Sequence, residues 1–285
     1  METIEEVQST TVEPRADETV RVQQGSYFLE LSPDWLVLRA SENIHQLLPE
    51  SHVGLIEEPL GKFVHAQALH DLRNLFSKLS GTTGIGRAYA VRLTDEHDLL
   101  DIAFQLSHGR VILEAVPSNG CFGDCFGSVG GLIAGLTHST GQSLLDGGCR
   151  RMRALTGYDR VTLTLGDRRA ESSRGAFASP ADAEDLPLII ANIDAPGVAL
   201  YPRELDEISA CAALLRSPGE KQRRKLRTNG VAAIVRIPFT AGQSDCEFCC
   251  ESRTARPPSF ELHAAAELFA QMFALRLELD QQTSR

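Results

Sequence analysis

The sequence predicts an α+β protein with two domains, and three observations support this prediction. Short stretches that alternate apolar and polar residues occur in pairs joined by turn residues, which is typical of antiparallel strands. Longer stretches repeat apolar residues at helical spacing. A glycine- and serine-rich segment at residues 117–131 separates two such mixed regions, so we expect a domain boundary there.

The composition indicates a globular protein with a sizeable core. The chain has 285 residues, of which 42% are hydrophobic and 23% charged, so it is not disordered as a whole. A net charge of −10 argues against broad binding to nucleic acids, whose phosphates attract basic surfaces. The apolar runs are too short to span a bilayer, and residues 1–20 lack the apolar stretch of a secretory signal. We therefore expect a cytoplasmic protein without nucleic-acid or membrane partners.

The first mixed region, residues 22–118, follows a predicted flexible arm of residues 1–21. Ser32, Pro33 and Asp34 are typical turn residues, and they separate the first two predicted strands. The predicted elements are strands at 25–31 and 35–41, a helix at 64–79, and strands at 99–106 and 110–116. Such a mixture within about 100 residues predicts a small α+β domain.

The second mixed region, residues 131–285, follows a predicted linker at 119–130. Its predicted elements are a helix at 132–155, a strand at 160–165, a polar loop at 166–184, strands at 230–239 and 245–252, and a helix at 259–282. Ser259 is placed to cap the last helix, and Glu261 adds a negative charge to its first turn.

The last helix carries two apolar stripes. One predicts packing within the chain, and the other predicts a contact with a second chain. The first consists of Leu262, Ala266, Phe269, Phe273 and Leu277, and the second of Leu268, Met272, Leu275 and Leu279. One stripe is enough to dock a helix on its own domain. The second stripe therefore predicts a homodimer formed through helices, and the alternative is a helix buried deeply within one chain.

Several segments resemble the photosensory region of phytochromes. The stretch RRMRALTGYDRVTL is similar to the start of the phytochrome GAF domain, and Thr156 to Val161 match the family's motif in order. The stretches WLVLRASENIHQLL and HGRVILEAVP resemble parts of the family's N-terminal PAS domain. The resemblance covers about residues 22–279. It implies a PAS-like domain followed by a GAF-like domain, bilin binding, red-light sensing and signalling.

The groups with which this family attaches its pigment are missing. Bacterial phytochromes use a cysteine in the N-terminal arm, and residues 1–24 contain none. Plant-type relatives use a GAF cysteine beside a histidine in a segment like SPxHLxYLxNMGV, whereas residues 217–231 read SPGEKQRRKLRTNGV. Arginine is always charged and only donates hydrogen bonds, so it does not replace an imidazole against a pigment. The sequence predicts a sensory protein without covalent bilin.

The resemblance also supplies candidates for a remaining ligand pocket. They are Tyr158, Asp185, Arg223, Arg227, Glu251 and Ser252, of which the last two stand where the family has histidines. Asp185 has an alternative interpretation as a loop carboxylate. Asp159 and Arg160 are interpreted as an ion pair that joins a strand and a helix.

A basic run stands out in this acidic protein. It comprises Lys221, Arg223, Arg224, Lys225 and Arg227. Such a run is able to bind a phosphate or an acidic partner. The alternative is a solvated surface helix, which charge runs usually form.

Four of the seven cysteines suggest a metal or redox centre, which would place the protein in a different functional class. Cys121 and Cys125 are separated by three residues. Cys246 and Cys249 are separated by two residues, which is the spacing that zinc sites use. The alternative is that they are buried free thiols, which are common in a reducing compartment.

The function hypotheses follow from these residues. No hydrolase, kinase or nucleotide-binding motif is present, so a non-enzymatic protein is expected. A complete phytochrome continues into a PHY domain and an output domain, so action through an unknown partner protein is expected. The first alternative is a sensor that binds biliverdin or another tetrapyrrole noncovalently in the GAF pocket. A weaker alternative is a thiol or zinc sensor.

Overall fold

The computed structural model describes residues 19–79, 84–95, 98–119, 123–178, 186–203 and 208–283. Within these ranges the chain forms two antiparallel sheets and five α-helices, which confirms the predicted α+β class. Two predicted site residues, Asp185 and Cys121, lie outside the described residues.

The elements alternate between strands and helices along the chain. The strands are β1 (Arg21–Gln23), β2 (Tyr27–Leu31), β3 (Val37–Ser41), β4 (Gly86–Val91), β5 (Leu100–Ser107), β6 (Arg110–Pro117), β7 (Arg160–Leu165), β8 (Arg168–Ser173), β9 (Ile189–Ile190), β10 (Gly197–Tyr201), β11 (Ala233–Ala241) and β12 (Ser244–Ser252). The α-helices are α1 (Ala66–Ser77), α2 (Asp124–Ala134), α3 (Gly141–Thr156), α4 (Glu220–Thr228) and α5 (Phe260–Thr283). Short 3-10 helices occur at Glu42–Gln46, Leu60–Lys62 and Ala210–Ala212.

The first sheet has seven strands in the order β1-β10-β3-β2-β6-β5-β4. Side chains alternate between its faces, as in any strand. One face packs against α1 in an apolar core that includes Trp35, Leu72 and Phe104. The other face includes Phe28 and Ile112, which pack against residues 208–217 from the second region.

The strand β1 joins the two regions. It pairs with β10 on one side, with Arg21 opposite Ala199. On its other side the Gln23 amide donates to the Leu215 carbonyl at 3.0 Å, and the Ser217 amide donates to the Arg21 carbonyl at 2.7 Å. The N-terminal segment therefore lies between two stretches of the second region.

The second sheet has five strands in the order β8-β7-β12-β11-β9. Its inner face packs against α3 and α5 in the largest apolar core. Ser259 accepts a hydrogen bond from the Leu262 amide at 3.2 Å and so caps α5, as the sequence predicts. Among the described residues, no helix has both the length and the apolar composition that crossing a bilayer requires.

Three sequence predictions differ from the structure. The helix expected at 132–155 is two helices, because α2 ends at Ala134 and Thr140 begins α3 as its N-cap, where the Thr140 amide donates to the Ser143 hydroxyl at 3.3 Å. The linker expected at 119–130 contains the start of α2. The loop expected at 166–184 contains β8, an edge strand whose side chains are mostly exposed and polar.

Candidate functional site

The candidate site is the outer face of the five-stranded sheet, opposite α3 and α5. The segment that resembles the family's histidine-bearing stretch folds as α4 and covers part of this face. The Gly219 amide donates to the Gln222 side chain at 2.9 Å and so fixes the first turn of α4.

A single apolar side chain anchors α4 on the sheet. Leu226 is almost completely buried, although both of its neighbours in sequence are basic. It packs in a cluster with Leu186, Ile190, Ile193, Val231, Ile234 and Cys249, which we call the Leu226 cluster. Apolar side chains therefore fill the space between α4 and the sheet.

The two arginines predicted as ligand residues bind the protein itself. Arg223 donates to the carbonyls of Pro218 and Ala195 at 2.9 and 3.0 Å, and to the Ser217 hydroxyl. Arg227 forms an exposed ion pair with Asp194 at 2.5 Å. Both contacts fix α4 to its neighbouring turns, so the basic run behaves largely as a surface helix.

Two ion pairs lie on the same face of the sheet. Arg160 on β7 is directly opposite Glu251 on β12, and its Nε lies 2.5 Å from the Glu251 Oε2. Both side chains are almost completely buried. Arg236 on β11 pairs with Glu247 on β12 at 2.6 Å. Strand alternation places Glu247, Cys249 and Glu251 together on this face.

The expected pairing of Asp159 with Arg160 is wrong. Asp159 accepts a hydrogen bond from the Arg253 amide at 3.0 Å instead. Adjacent residues at a strand start point in different directions, so Arg160 is directed toward Glu251.

An aromatic side chain covers the Arg160–Glu251 pair. The Phe177 ring lies 4.5 Å from the Arg160 guanidinium and 3.8 Å from that of Arg253. Arg160 also donates to the Ala178 carbonyl, and Arg253 donates to the carbonyls of Arg174 and Ala176. Residues 174–178 are thereby fixed over the end of the sheet.

Two polar atoms on this face remain without a partner among the described residues. They are the Arg160 Nη2 and the Thr162 Oγ1, and both are buried.

The other predicted pocket residues have structural contacts. Tyr158 belongs to the core on the opposite side of the sheet, next to α3, and burial raises the pKa of its hydroxyl. Ser252 accepts a hydrogen bond from the Arg256 Nε at 3.2 Å. Of the predicted pocket residues in the described ranges, Glu251 is the one whose carboxylate is buried on the α4 side.

Among the described residues, the structure does not bring the predicted metal ligands Cys125, Cys246 and Cys249 together. Cys246 packs on the inner face of the sheet, whereas Cys249 packs on the outer face. Cys125 lies near Glu261 at the start of α5, but β12 begins near Glu278 at its other end. At about 1.5 Å per residue, these positions on α5 are roughly 25 Å apart. The described residues contain no group of three side chains arranged to hold a metal.

Two open clefts lie away from α4. One, of about 380 Å³, is bounded by β11 and α5 and includes Glu267 and Leu275. The other, of about 600 Å³, is bounded by α1 and β4 and includes Leu72 and Tyr89.

Sequence reasoning missed three residues that shape the site. Leu226 was overlooked within a basic run, although it is the only apolar residue of α4 and therefore the natural anchor. Arg236 and Glu247 gave no local signal, because their contact depends on the pairing of β11 with β12.

Comparisons with known proteins identify solved structures that share this fold. No protein-family model and no curated protein matches the sequence. Solved structures do match, and one is the chromophore-binding domain of an unusual bacteriophytochrome from R. palustris, with a TM-score of 0.74 and 21% identity over 92% of this chain and 96% of that chain. The wild-type domain of a Stigmatella aurantiaca phytochrome matches with a TM-score of 0.72 and 22% identity over 92% of this chain and 98% of that one.

A longer bacteriophytochrome structure from R. palustris also matches. It has a TM-score of 0.77 and 19% identity, and the match covers 94% of this chain but only 61% of that chain. This chain therefore spans about three fifths of the longer protein. The resemblance predicted from sequence is confirmed at the level of the fold, and the chain has the fold of bacteriophytochrome chromophore-binding domains.

Proposed function

We propose that this protein is a phytochrome-like sensory and signalling module that holds no bilin covalently and acts through protein partners. The observation that carries the proposal is the filled face beneath α4, where the Leu226 cluster and the Arg160–Glu251 pair occupy the sheet. A non-enzymatic role and a cytoplasmic location stay predictions from the sequence.

The energetics support this proposal. Exposing a buried leucine costs about 1.5–3 kcal/mol, and separating a buried ion pair costs about 3–5 kcal/mol. A tetrapyrrole placed between α4 and the sheet would have to displace Leu226 and uncover Arg160. Its binding would therefore have to overcome a penalty of roughly 5 kcal/mol or more.

The proposal is tested by incubating the purified protein with biliverdin. We expect no pigment to remain on the chain in a denaturing gel stained by zinc-induced fluorescence, and no red-absorbing band that converts under light. A bacteriophytochrome chromophore-binding domain treated in parallel is the positive control. A covalent, photoconvertible adduct would overturn the proposal.

The alternative function is a sensor that binds a tetrapyrrole noncovalently. The polar atoms of Arg160 and Thr162 that lack partners among the described residues favour it. Biliverdin would then raise the melting temperature of the protein and change its own visible spectrum without forming a bond. A bulky Leu226→Trp substitution should reduce this binding, whereas Leu106→Trp at an exposed site should leave it unchanged.

The zinc or thiol hypothesis is disfavoured by the opposite orientations of Cys246 and Cys249. Burial raises the pKa of the Cys246 thiol and that of the Cys249 thiol, so these thiols are poor nucleophiles. Metal analysis of freshly purified protein, with Cys246 and Cys249 replaced in turn, tests this hypothesis directly.

A homodimer through α5 is part of the proposal. The first apolar stripe lies in the core, with Phe269 and Phe273 fully buried. In the second stripe Leu268, Leu275 and Leu279 are 39%, 63% and 58% exposed in the single chain. Exposed leucines on one helix face are typical of a protein interface.

Light scattering on the purified protein tests the dimer. We expect two chains for the wild type and one chain for the double variant Leu275→Glu with Leu279→Glu. Leu106→Glu is the matched control, because Leu106 is 58% exposed on β5. A wild-type protein that is a monomer at micromolar concentration would contradict this part of the proposal.

A further inference from the structure

The basic side chains of α4 lie on two faces of the helix. Arg223 and Arg227 lie on the inner face, where Arg223 donates to three groups of the protein and Arg227 pairs with Asp194. Leu226 shares this face and is almost completely buried. The inner face therefore serves to fix the helix on the rest of the protein.

The outer face of α4 presents three further basic side chains. They are Lys221, Arg224 and Lys225, and all three residues are exposed. Residues three and four apart lie on one side of a helix, so the three cations are close together. Glu220 is the one acidic residue of α4, and it pairs with Arg224. The outer face thus keeps a net positive charge in a protein with a formal net charge of −10.

The chain enters β1 from the direction of α4. Val22 lies opposite Arg216 in an antiparallel bridge, and the Ser217 amide donates to the Arg21 carbonyl at 2.7 Å. In an antiparallel pair, the residues before Arg21 lie on the same side as those after Ser217. The segment that precedes β1 is therefore directed towards Gly219 and the first turn of α4.

The sequence of that segment is acidic. Residues 1–18 read METIEEVQSTTVEPRADE and carry six acidic side chains and one basic side chain. They lie outside the described residues. Their net charge is opposite to that of the outer face of α4, and they join the described chain close to that face.

The length of the segment matches the length of the helix. The nine residues of α4 extend for about 14 Å at a rise of 1.5 Å per residue. Glu13, Asp17 and Glu18 lie within six residues of the described chain, and six extended residues cover about 20 Å. These carboxylates are therefore within reach of the whole outer face.

We propose that residues 1–18 dock on the outer face of α4, with their carboxylates against Lys221, Arg224 and Lys225. The short tether to β1 favours this contact, because it raises the effective concentration of the segment at the helix. The docked segment neutralises the basic face, so an acidic partner has to displace it before binding α4. This inference goes beyond the proposed function, because the docking needs neither a pigment nor a partner.

Zero-length cross-linking of the full chain with a carbodiimide tests the docking, because this reagent joins a carboxylate directly to a lysine amine. The sequence contains four lysines, and two of them, Lys221 and Lys225, lie on the outer face of α4. We expect mass spectrometry of the digested protein to show cross-links from residues 1–18 to these two lysines.

The other two lysines are the controls. Lys78 is also exposed, but it follows α1, which packs on the opposite face of the seven-stranded sheet from residues 208–217. Its cross-links to residues 1–18 should be several-fold weaker than those of α4. Lys62 forms an exposed ion pair with Glu58, and the cross-link between them shows that the reagent has worked.

The cross-links at α4 should depend on charge. Raising the salt concentration from about 0.1 M to about 1 M shortens the Debye length from about 10 Å to about 3 Å, so the yield should fall several-fold. Arg224→Glu reverses one charge of the outer face and should lower the yield about threefold, the size expected for one exposed ion pair. Arg168→Glu reverses an exposed charge on β8 and should leave the yield unchanged.

Three results would overturn the docking. One is equal cross-linking of residues 1–18 to Lys78 and to the lysines of α4, which indicates random contact. Another is a Glu58–Lys62 cross-link without any link from residues 1–18 to α4, which leaves the outer face open to a separate acidic partner. The third is a link between two chains in a mixture of isotope-labelled and unlabelled protein, because the segment then binds a second copy.

Discussion

Glu251 on β12 lies directly opposite Arg160 on β7, and the two side chains form an ion pair at 2.5 Å that is almost closed to water. Glu251→Gln leaves the guanidinium buried without its counter-charge. We expect the free energy of unfolding in urea to fall by about 3–5 kcal/mol.

The matched control is the exposed pair of Arg227 and Asp194, which has the same separation of 2.5 Å. Asp194→Asn should leave the free energy of unfolding nearly unchanged, because water screens that pair. Equal losses in the two variants would show that burial does not set the strength of the Arg160–Glu251 pair.

Leu226 is the apolar anchor of α4, and its removal should loosen the helix. Leu226→Ala should lower the free energy of unfolding by about 2–5 kcal/mol, since it leaves a cavity in the Leu226 cluster. Leu106→Ala removes an equal volume at an exposed site and should change stability by less than about 0.5 kcal/mol. Similar denaturation midpoints for the two variants would contradict the assigned role of Leu226.

His263 should make stability depend on pH. Its Nδ1 accepts from the Arg87 guanidinium at 2.8 Å, and burial lowers its pKa to about 4, although Glu267 opposes this effect. A histidine held neutral contributes stability that is present above pH 6.5 and lost as the pH falls through 4. Between pH 7 and pH 5 the loss should be about 2 kcal/mol.

The measurement is the difference between the wild type and His263→Gln in urea at the two pH values. The difference is needed because Glu114, whose pKa is raised, changes stability in the opposite direction over the same range. His70→Gln on the exposed face of α1 is the control and should reproduce the wild-type pH dependence. A His263→Gln variant with that same dependence would refute the prediction.

Two glycines within helices should respond oppositely to alanine. A Cβ at Gly148 in α3 would lie 2.6 Å from the Phe273 ring, so Gly148→Ala should destabilise the contact with α5 by about 1–3 kcal/mol. Gly127 in α2 has open space, and Gly127→Ala should stabilise the protein by about 0.5–1 kcal/mol. Melting temperatures that shift in the same direction would contradict this reasoning.

The fold was predictable where local sequence determines local structure. Ser32, Pro33 and Asp34 mark a hairpin through their own turn preferences. The break between α2 and α3 was missed although local residues mark it, since Thr140 is the N-cap of α3 and Gly141 has a positive φ of 53°. The edge strand β8 was missed because mostly polar residues there give no apolar alternation.

The candidate site was predictable only in part, because its contacts are long-range. Glu251 was predicted as a pocket residue, but its partner Arg160 gave no local signal because it is 91 residues away in sequence. The opposite orientations of Cys246 and Cys249 could have been predicted from the sequence. Residues three apart in a strand point to opposite faces, so the predicted strand at 245–252 already separates Cys246 from Cys249.

The position of β1 determines when the protein can finish assembling on the ribosome. Arg21 and Gln23 bond to partners 176 and 193 residues later in the chain. Strand β1 therefore waits, without these partners, until between 176 and 193 further residues have been made. Contacts between such distant positions form slowly. Folding of the first region thus depends on synthesis of the second region, and a product truncated between the two would expose β1 to aggregation.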